Sequence, residues 1–261
     1  GTSHFLGQNF AKASGIKFLD KDSKEEVAWT TSWGVSTRMI GGLIMTHSDD
    51  NGLVLPPKIA PLHVVILPIY RNAEEQTQVL DYVKSLERDL KSQLFDGAPV
   101  KVKIDTRDIR GGEKAWQYIK QGVPVRVEVG PRDMAKNEVF VGRRDKEPKE
   151  KSGLPRDQFV TGIQNLLNEI QLNLFNRAKL FRDQNTKTLN SLSEFEEFFG
   201  EDETKGGFAI VPWHQDAIGH EVLARLKVTP RCAPLTQQAV SGNCIFSGKP
   251  AEKFVIFARS Y

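Results

Sequence analysis

Residues 31 to 38, "TSWGVSTR", set two serines, two threonines, an indole and Arg38 just ahead of the apolar stretch "MIGGLIM". The spacing predicts a short helix over 36–46. At a helix start the backbone N–H groups and hydroxyls face the same side as a guanidinium there, which suits a phosphate. The planar fork of an arginine matches phosphate oxygens better than an ammonium does. The alternative for Arg38 is a structural ion pair.

A denser cluster lies between 105 and 133, in "DTRDIRGGEKAW" and "GVPVRVEVGPRD". Arg126 and Glu128 are two apart on a predicted strand, so they share the face opposite Val125, Val127 and Val129. An arginine held beside a carboxylate on an open sheet face can bond a guanine edge at two points. Trp116 and Tyr118 offer planes on which unstacked bases of a loop could lie. Arg110, Lys114 and Arg132 add cations to this cluster, and the competing reading is a cross-strand ion pair on a solvated face. At the other end, "WHQDAIGH" and "CIFSG" bring His214, His220 and Cys244 into one small region, with Cys232 nearby. Histidines and cysteines can hold zinc tetrahedrally, but this spacing is not that of a standard finger, so no metal is favoured.

The elements that must position these groups follow from periodicity. Short strands and glycines alternate through residues 1 to 60, ending at Pro56, Pro57 and Pro61. "LHVVILPI" is apolar at nearly every position, as a strand covered on both faces must be. Val79, Val83, Leu86, Leu90 and Leu94 make one helical stripe over 73–95. "VKVKID", "VPVRVEVG" and "EVFVGRRD" are strands, and "GEKAWQYIKQG" is a helix stopped by Gly122. This succession specifies an α/β domain with a mixed sheet. "KEPKEKSGLPRD" is expected to be a charged linker. After it, Phe159, Ile163, Leu166, Leu167, Ile170, Leu174, Ala178 and Phe181 mark one long helix, whose stripe is core. The remainder holds a short helix at "SLSEFEEFFGED", strands at "GGFAIVPW", "RCAPL" and "KFVIFARSY", and a helix near 217–227.

Composition bounds what such a chain can be. No apolar run is long enough to span a bilayer, so no membrane role is expected. Two cysteines in 261 residues give no disulfide framework and suggest a reducing, intracellular setting. Without an initiator methionine or a leader, the chain reads as an internal fragment or a processed product. Net charge is only +3, yet residues 99 to 146 hold 12 Lys and Arg against 7 Asp and Glu, a local excess that suits a polyanion.

Taken together and in order, "TSHFLGQNF", "TSWGVSTRMIG", "DDNGLVLPP", "GVPVRVEVGPRD", "GKPA" and the terminal "ARSY" resemble the C-terminal part of prolyl-tRNA synthetases of the archaeal and eukaryote-like type. The resemblance covers essentially the whole chain. It implies an α/β organisation in three parts: residues 1–60 as the end of a class II antiparallel-sheet catalytic domain, 61–150 as an α/β anticodon-binding domain, and 151–261 as a long helix with a small α+β C-terminal domain. "TSWGVSTR" is similar to the third class II signature. By that likeness Arg38 would contact the γ-phosphate of a bent ATP, Thr2 and Ser36 would touch the nucleotide, His4 would border the prolyl group, and Trp33 and Gly34 would help wall the proline pocket. Arg126, and after it Arg132, would contact anticodon guanines.

The implied activity is ATP- and Mg2+-dependent activation of proline to the adenylate, followed by transfer to tRNA(Pro), in a cytoplasmic homodimer. A chain without the first two class II signatures would be inactive alone. The alternatives are a non-catalytic tRNA-binding paralogue and a threonyl or histidyl enzyme. Two departures from the family pattern stand out. Ile119 occupies a position that is often acidic, and the four zinc-binding cysteines of some members are reduced to His214, a region around His220, Cys244 and Ser247, so zinc is possible but not favoured. The carboxylate of Tyr261 is a further family feature, expected to reach toward the catalytic domain.

Overall fold

A computed structural model describes residues 1–200, 202, 206–237 and 239–259, in two compact units, Gly1–Leu174 and Phe175–Tyr261. The carboxylate of Tyr261 lies outside the described residues.

The first unit opens with β1 (Thr2–Gly7), α1 (Asn9–Ser14), β2 (Lys17–Leu19), β3 (Glu25–Val27), β4 (Thr30–Gly34) and α2 (Arg38–His47). β1 and β4 form an antiparallel ribbon with Thr2 opposite Gly34 and His4 opposite Ser32. α1 has no counterpart in the sequence reading, and α2 starts two residues later than periodicity suggests. Ala11 is the one buried hydrophobic residue here, while Phe5, Trp29, Trp33, Met39 and Met45 are exposed.

The α/β body follows: β5 (Val64–Pro68), α3 (Ala73–Lys91), the hairpin β6 (Leu94–Phe95) and β7 (Ala98–Pro99), β8 (Val102–Ile104), α4 (Gly111–Lys120), β9 (Val125–Val129), α5 (Pro131–Ala135), β10 (Glu138–Arg143), β11 (Lys151–Pro155) and α6 (Arg156–Gln184). Asn72 caps α3 by accepting from the Glu75 N–H, and the Glu75 carboxylate accepts in turn from the N–H of Arg71. The helix stops at Lys91 rather than 95 because Asp96 and Gly97 both take positive φ and fold the next residues into a hairpin.

The five strands run β11-β10-β9-β5-β8, with β5 parallel to β8 and β9, and β10 antiparallel to both neighbours. The expected mixed sheet is therefore present. Its first face packs Val64, Ile66, Val125, Val127, Val139 and Val141 against α3 and α6. On the second face, α4 covers β5 through Tyr118, with Val65 and Leu67 beneath. The expected linker over 146–157 is instead partly an edge strand: Lys151 to Pro155 pair with β10, and their charged and glycine-bearing sequence is what an edge tolerates. In α6 the stripe from Phe159 to Leu174 is buried as expected, but Phe181, at 70% exposure, is not core.

The segment after α2 is no free linker. Leu53 N–H donates to the Lys120 carbonyl, and Gly52 and Gly122, both at positive φ, sit where a Cβ would come within 2.8 Å of opposing backbone. Buried Arg144 fastens the same junction, donating to both carboxylate oxygens of Asp49 at 2.6 and 2.7 Å and to the Ile119 carbonyl at 3.0 Å.

The second unit contains β12 (Thr186–Thr188), α7 (Leu192–Phe199), β13 (Phe208–Trp213), α8 (Glu221–Arg225), β14 (Val228–Cys232) and β15 (Lys253–Arg259), in sheet order β12-β13-β15-β14. The strand expected at "RCAPL", 231–235, begins three residues earlier, at Val228, and ends at Cys232. Rings of Phe195, Phe199, Phe246 and Phe257 meet edge to face or tilted in its core.

Candidate functional site

The β1/β4 ribbon and the start of α2 bring the first group of residues together. Strand alternation places Thr2, His4 and Gly34 on one face of the ribbon, and a Cβ on Gly34 would lie 3.4 Å from Thr2 Oγ1. Trp33 pairs with Ser3 and belongs to the opposite face, so it does not join His4 there. Ser36 and Arg38 are exposed at the entry to α2, where Thr37 occupies the N-cap without a side-chain bond to the helix. Among the described residues no carboxylate pairs with Arg38. A cation at the first turn of a helix sits against the positive end of the dipole, which is unfavourable unless an anion arrives.

Of the second group, Arg126 and Glu128 sit on the half of the five-stranded sheet that α4 leaves uncovered. Here the reading of the sequence needs correction. Arg126 shares its face with Glu128 as expected, but it is 1% exposed, and Nε, Nη1 and Nη2 are buried without a hydrogen-bond partner. Burial and the nearby charge of Arg144 pull its pKa down to about 10. Glu128 is paired with Lys151 of β11. Lys114 is also buried, its Nζ donating to the Asp105 carbonyl at 3.2 Å, because α4 presses that flank onto the sheet. Tyr118 is core, so of the two proposed stacking planes only Trp116 is exposed. Arg110 is exposed at the N-cap of α4.

Arg132 is exposed beside a cleft of about 340 Å³ at the carboxyl ends of β5 and β9, shared with Tyr70, Arg71, Glu75 and Asp133. Crevices outside the carboxyl ends of parallel strands are common ligand sites. Nearby, Arg107 grips Asp105 in a two-point ion pair, and that hydrogen bonding, opposed by burial, lowers the carboxyl pKa to about 2.

Sequence reasoning missed Phe140 and Lys151. Phe140 alternates with Val139 and Val141, pairs with Glu128, and is 37% exposed on the open half-sheet. The alternation in "EVFVGR" carried that signal. Lys151 was hidden in the presumed linker.

In the second unit the metal candidates do not converge. His214 Nδ1 accepts from the Asp216 N–H at 3.1 Å and its Nε2 lies 3.3 Å from Glu252, while His220 accepts from the Val222 N–H. Cys244 is buried, and although burial raises its pKa, bonds from Ser247 and neighbouring backbone N–H groups leave it lowered overall. Among the described residues no group of three or more His, Cys, Asp or Glu could hold an ion. Nor is any helix among them long and apolar enough to cross a membrane.

Comparison with known proteins bears on the family and the fold. Residues 63–166 match the anticodon binding domain family, and residues 195–261 match the family described as prolyl-tRNA synthetase, C-terminal. The whole chain is 70% identical to a proline–tRNA ligase of Bdellovibrio bacteriovorus and 50% identical to that of Rhodopirellula baltica, covering 52% of each. It spans about half the length of the curated relatives it matches. A crystal structure of prolyl-tRNA synthetase from Cryptosporidium parvum, complexed with halofuginone and AMPPNP, superposes with a TM-score of 0.82 over 99% of this chain and 52% of the other, at 36% identity. With two family models matched in order and similarity running along all of this chain over about half of each relative, the chain belongs to the prolyl-tRNA synthetase family.

Proposed function

We propose that this chain supplies the third class II signature and the anticodon-binding module of a proline–tRNA ligase. The observation that carries the reading is Arg38: exposed, without a partner among the described residues, and placed at the start of α2 beside the Thr2/Gly34 ribbon. A fixed guanidinium there neutralises the triphosphate tail of ATP while a proline carboxylate attacks the α-phosphorus and pyrophosphate leaves. Thr2 and Ser36 hydroxyls bond the nucleotide, and His4, on the Thr2 face, borders the amino acid. Trp33 contributes from the other side of the ribbon or through its backbone. The hydroxyls and cation here fit a triphosphate rather than a protein-held ion, so Mg2+ would arrive with the nucleotide and would add charge neutralisation.

The exposed aromatic and apolar residues of 1–47 suit packing against the rest of a catalytic domain, and the basic half-sheet suits the tRNA loop. A cytoplasmic homodimer belongs to the same reading. The test is proline-dependent ATP–pyrophosphate exchange. The full-length protein should exchange, and Arg38→Ala should lower kcat by about 10²- to 10³-fold, the range seen when one charge-stabilising donor is removed, with affinity for tRNA(Pro) retained. The 261-residue chain alone should show none. Unchanged exchange in Arg38→Ala would favour a tRNA-binding paralogue instead.

A further inference from the structure

Arg144 directly follows β10 and is buried. Its Nη1 and Nη2 donate to the Asp49 carboxylate at 2.7 and 2.6 Å, Nη2 reaches the Gly52 carbonyl at 3.3 Å, and Nε donates to the Ile119 carbonyl at 3.0 Å. Asp49 lies just past the end of α2, in a turn closed by its backbone bonds to Gly52 and by the Asn51 N–H on its carboxylate. Ile119 belongs to the last turn of α4, and the Lys120 and Gly122 carbonyls beside it accept from the N–H groups of Leu53 and Leu55. The guanidinium also meets the negative end of the α4 dipole. One side chain at the end of a sheet strand thus holds the exit of α2 against the end of α4.

No residue of α2 is buried within this unit, so packing here does little to fix the direction of the helix. The turn after it is fixed. Val54 is 2% exposed in the core of the α/β body, and a Cβ on Gly52 would lie 2.7 Å from the Lys120 backbone. Cohesion alone does not call for an ion pair, since well-packed apolar side chains serve as well in a buried place. A two-point guanidinium–carboxylate bond adds a defined orientation. The first residue of α2 is Arg38, and a helix of this length measures roughly 15 Å, so a tilt of about 4° at Asp49 moves Arg38 by about 1 Å. Misplacement on that scale can cost a reaction up to about 10²-fold.

We infer that Arg144 and Asp49 are positioning residues for nucleotide activation: the ion pair between them clasps the exit of α2 to the anticodon-binding domain and so aims Arg38 at the triphosphate. Neither residue touches the nucleotide; both act through the helix. The inference rests on the reading of Arg38 as a contact of the triphosphate.

The experiment uses the full-length protein and measures, by calorimetric titration, the affinity for AMPPNP with Mg2+ and the affinity for AMP. The ratio of the two reports the contact with the phosphate tail. Arg38→Ala should cut that ratio by about tenfold or more, the value of a charge-assisted hydrogen bond. Asp49→Asn keeps an acceptor for the Asn51 N–H but removes the charge facing Arg144. It should cut the ratio by about three- to tenfold with AMP affinity unchanged, and lower kcat in proline-dependent exchange. Arg144→Lys, which keeps the charge and loses the two-point bond, should do the same. In the Arg38→Ala background, Asp49→Asn should cut the ratio no further.

A lower thermal midpoint in Asp49→Asn with the ratio unchanged would make the clasp a matter of stability alone and overturn the inference. Equal weakening of AMPPNP and AMP would do so too, as would independent losses in the double variant, since the clasp would then not act through Arg38. Should Arg144→Lys fail to fold, Asp49→Asn decides alone, its side chain being 41% exposed. An unchanged ratio in Arg38→Ala itself would overturn the reading of Arg38, and the inference with it.

Discussion

The two faces of the five-stranded sheet are built from the same strands yet have different chemistry. Toward α3 and α6 the strands present an unbroken apolar layer, with Val125, Val127, Val129, Val139 and Val141 buried against Leu86, Leu90, Ile163 and Leu167. Toward α4 only the β5 side is apolar; past it come a buried arginine, a glycine and an ion pair. The first face holds the domain together. The second holds charge in an environment that disfavors it, which is the arrangement expected where stability is traded for recognition.

The sharpest way to break the comparison is to injure each face. Ile163→Ala, in the covered face, should destabilise the first unit by about 2–5 kcal/mol through lost burial and the cavity left behind, read as a shift of the urea midpoint, while the preference of the chain for an RNA hairpin with guanines in its loop over one with adenines, read by fluorescence anisotropy, stays unchanged. Arg126→Met, on the other face, should do the reverse. Removing an unpaired buried charge should leave stability equal or raise it by about 1 kcal/mol, while guanine preference is lost. A large destabilisation by Arg126→Met would show that the two faces do not differ in the way described.

The smallest effect is a titration. Asp105, held by Arg107, has a folded pKa of about 2 against an ordinary 3.8, so the stability it contributes is present in full above about pH 4 and is lost as pH falls toward 2. Acid titration of the chain against Asp105→Asn should show this: the variant is less stable at neutral pH, and its stability falls less between pH 4 and 2.

Much of this molecule was written in local pattern. Strict alternation in "VPVRVEV", the unbroken apolar "HVVILP" and the helical stripes of α3 and α6 specify their elements because the periods of strand and helix differ and each must hide one face. Of the candidate site residues, Arg38, Arg126 and their neighbours lie in two short contiguous runs, "TSWGVSTR" and "GVPVRVEVGPRD", so they could be picked out without any fold. What alternation cannot say is how deep a face lies. It placed Arg126 and Glu128 together, but whether that face was open or covered depended on Lys151, 25 positions away across two strand pairings. The burial of Lys114 and Tyr118 likewise depended on where α4 docked. The order of residues determines which side chains share a face; only the tertiary pairing of strands decides which neighbours then cover it, because burial is a property of contacts between distant segments.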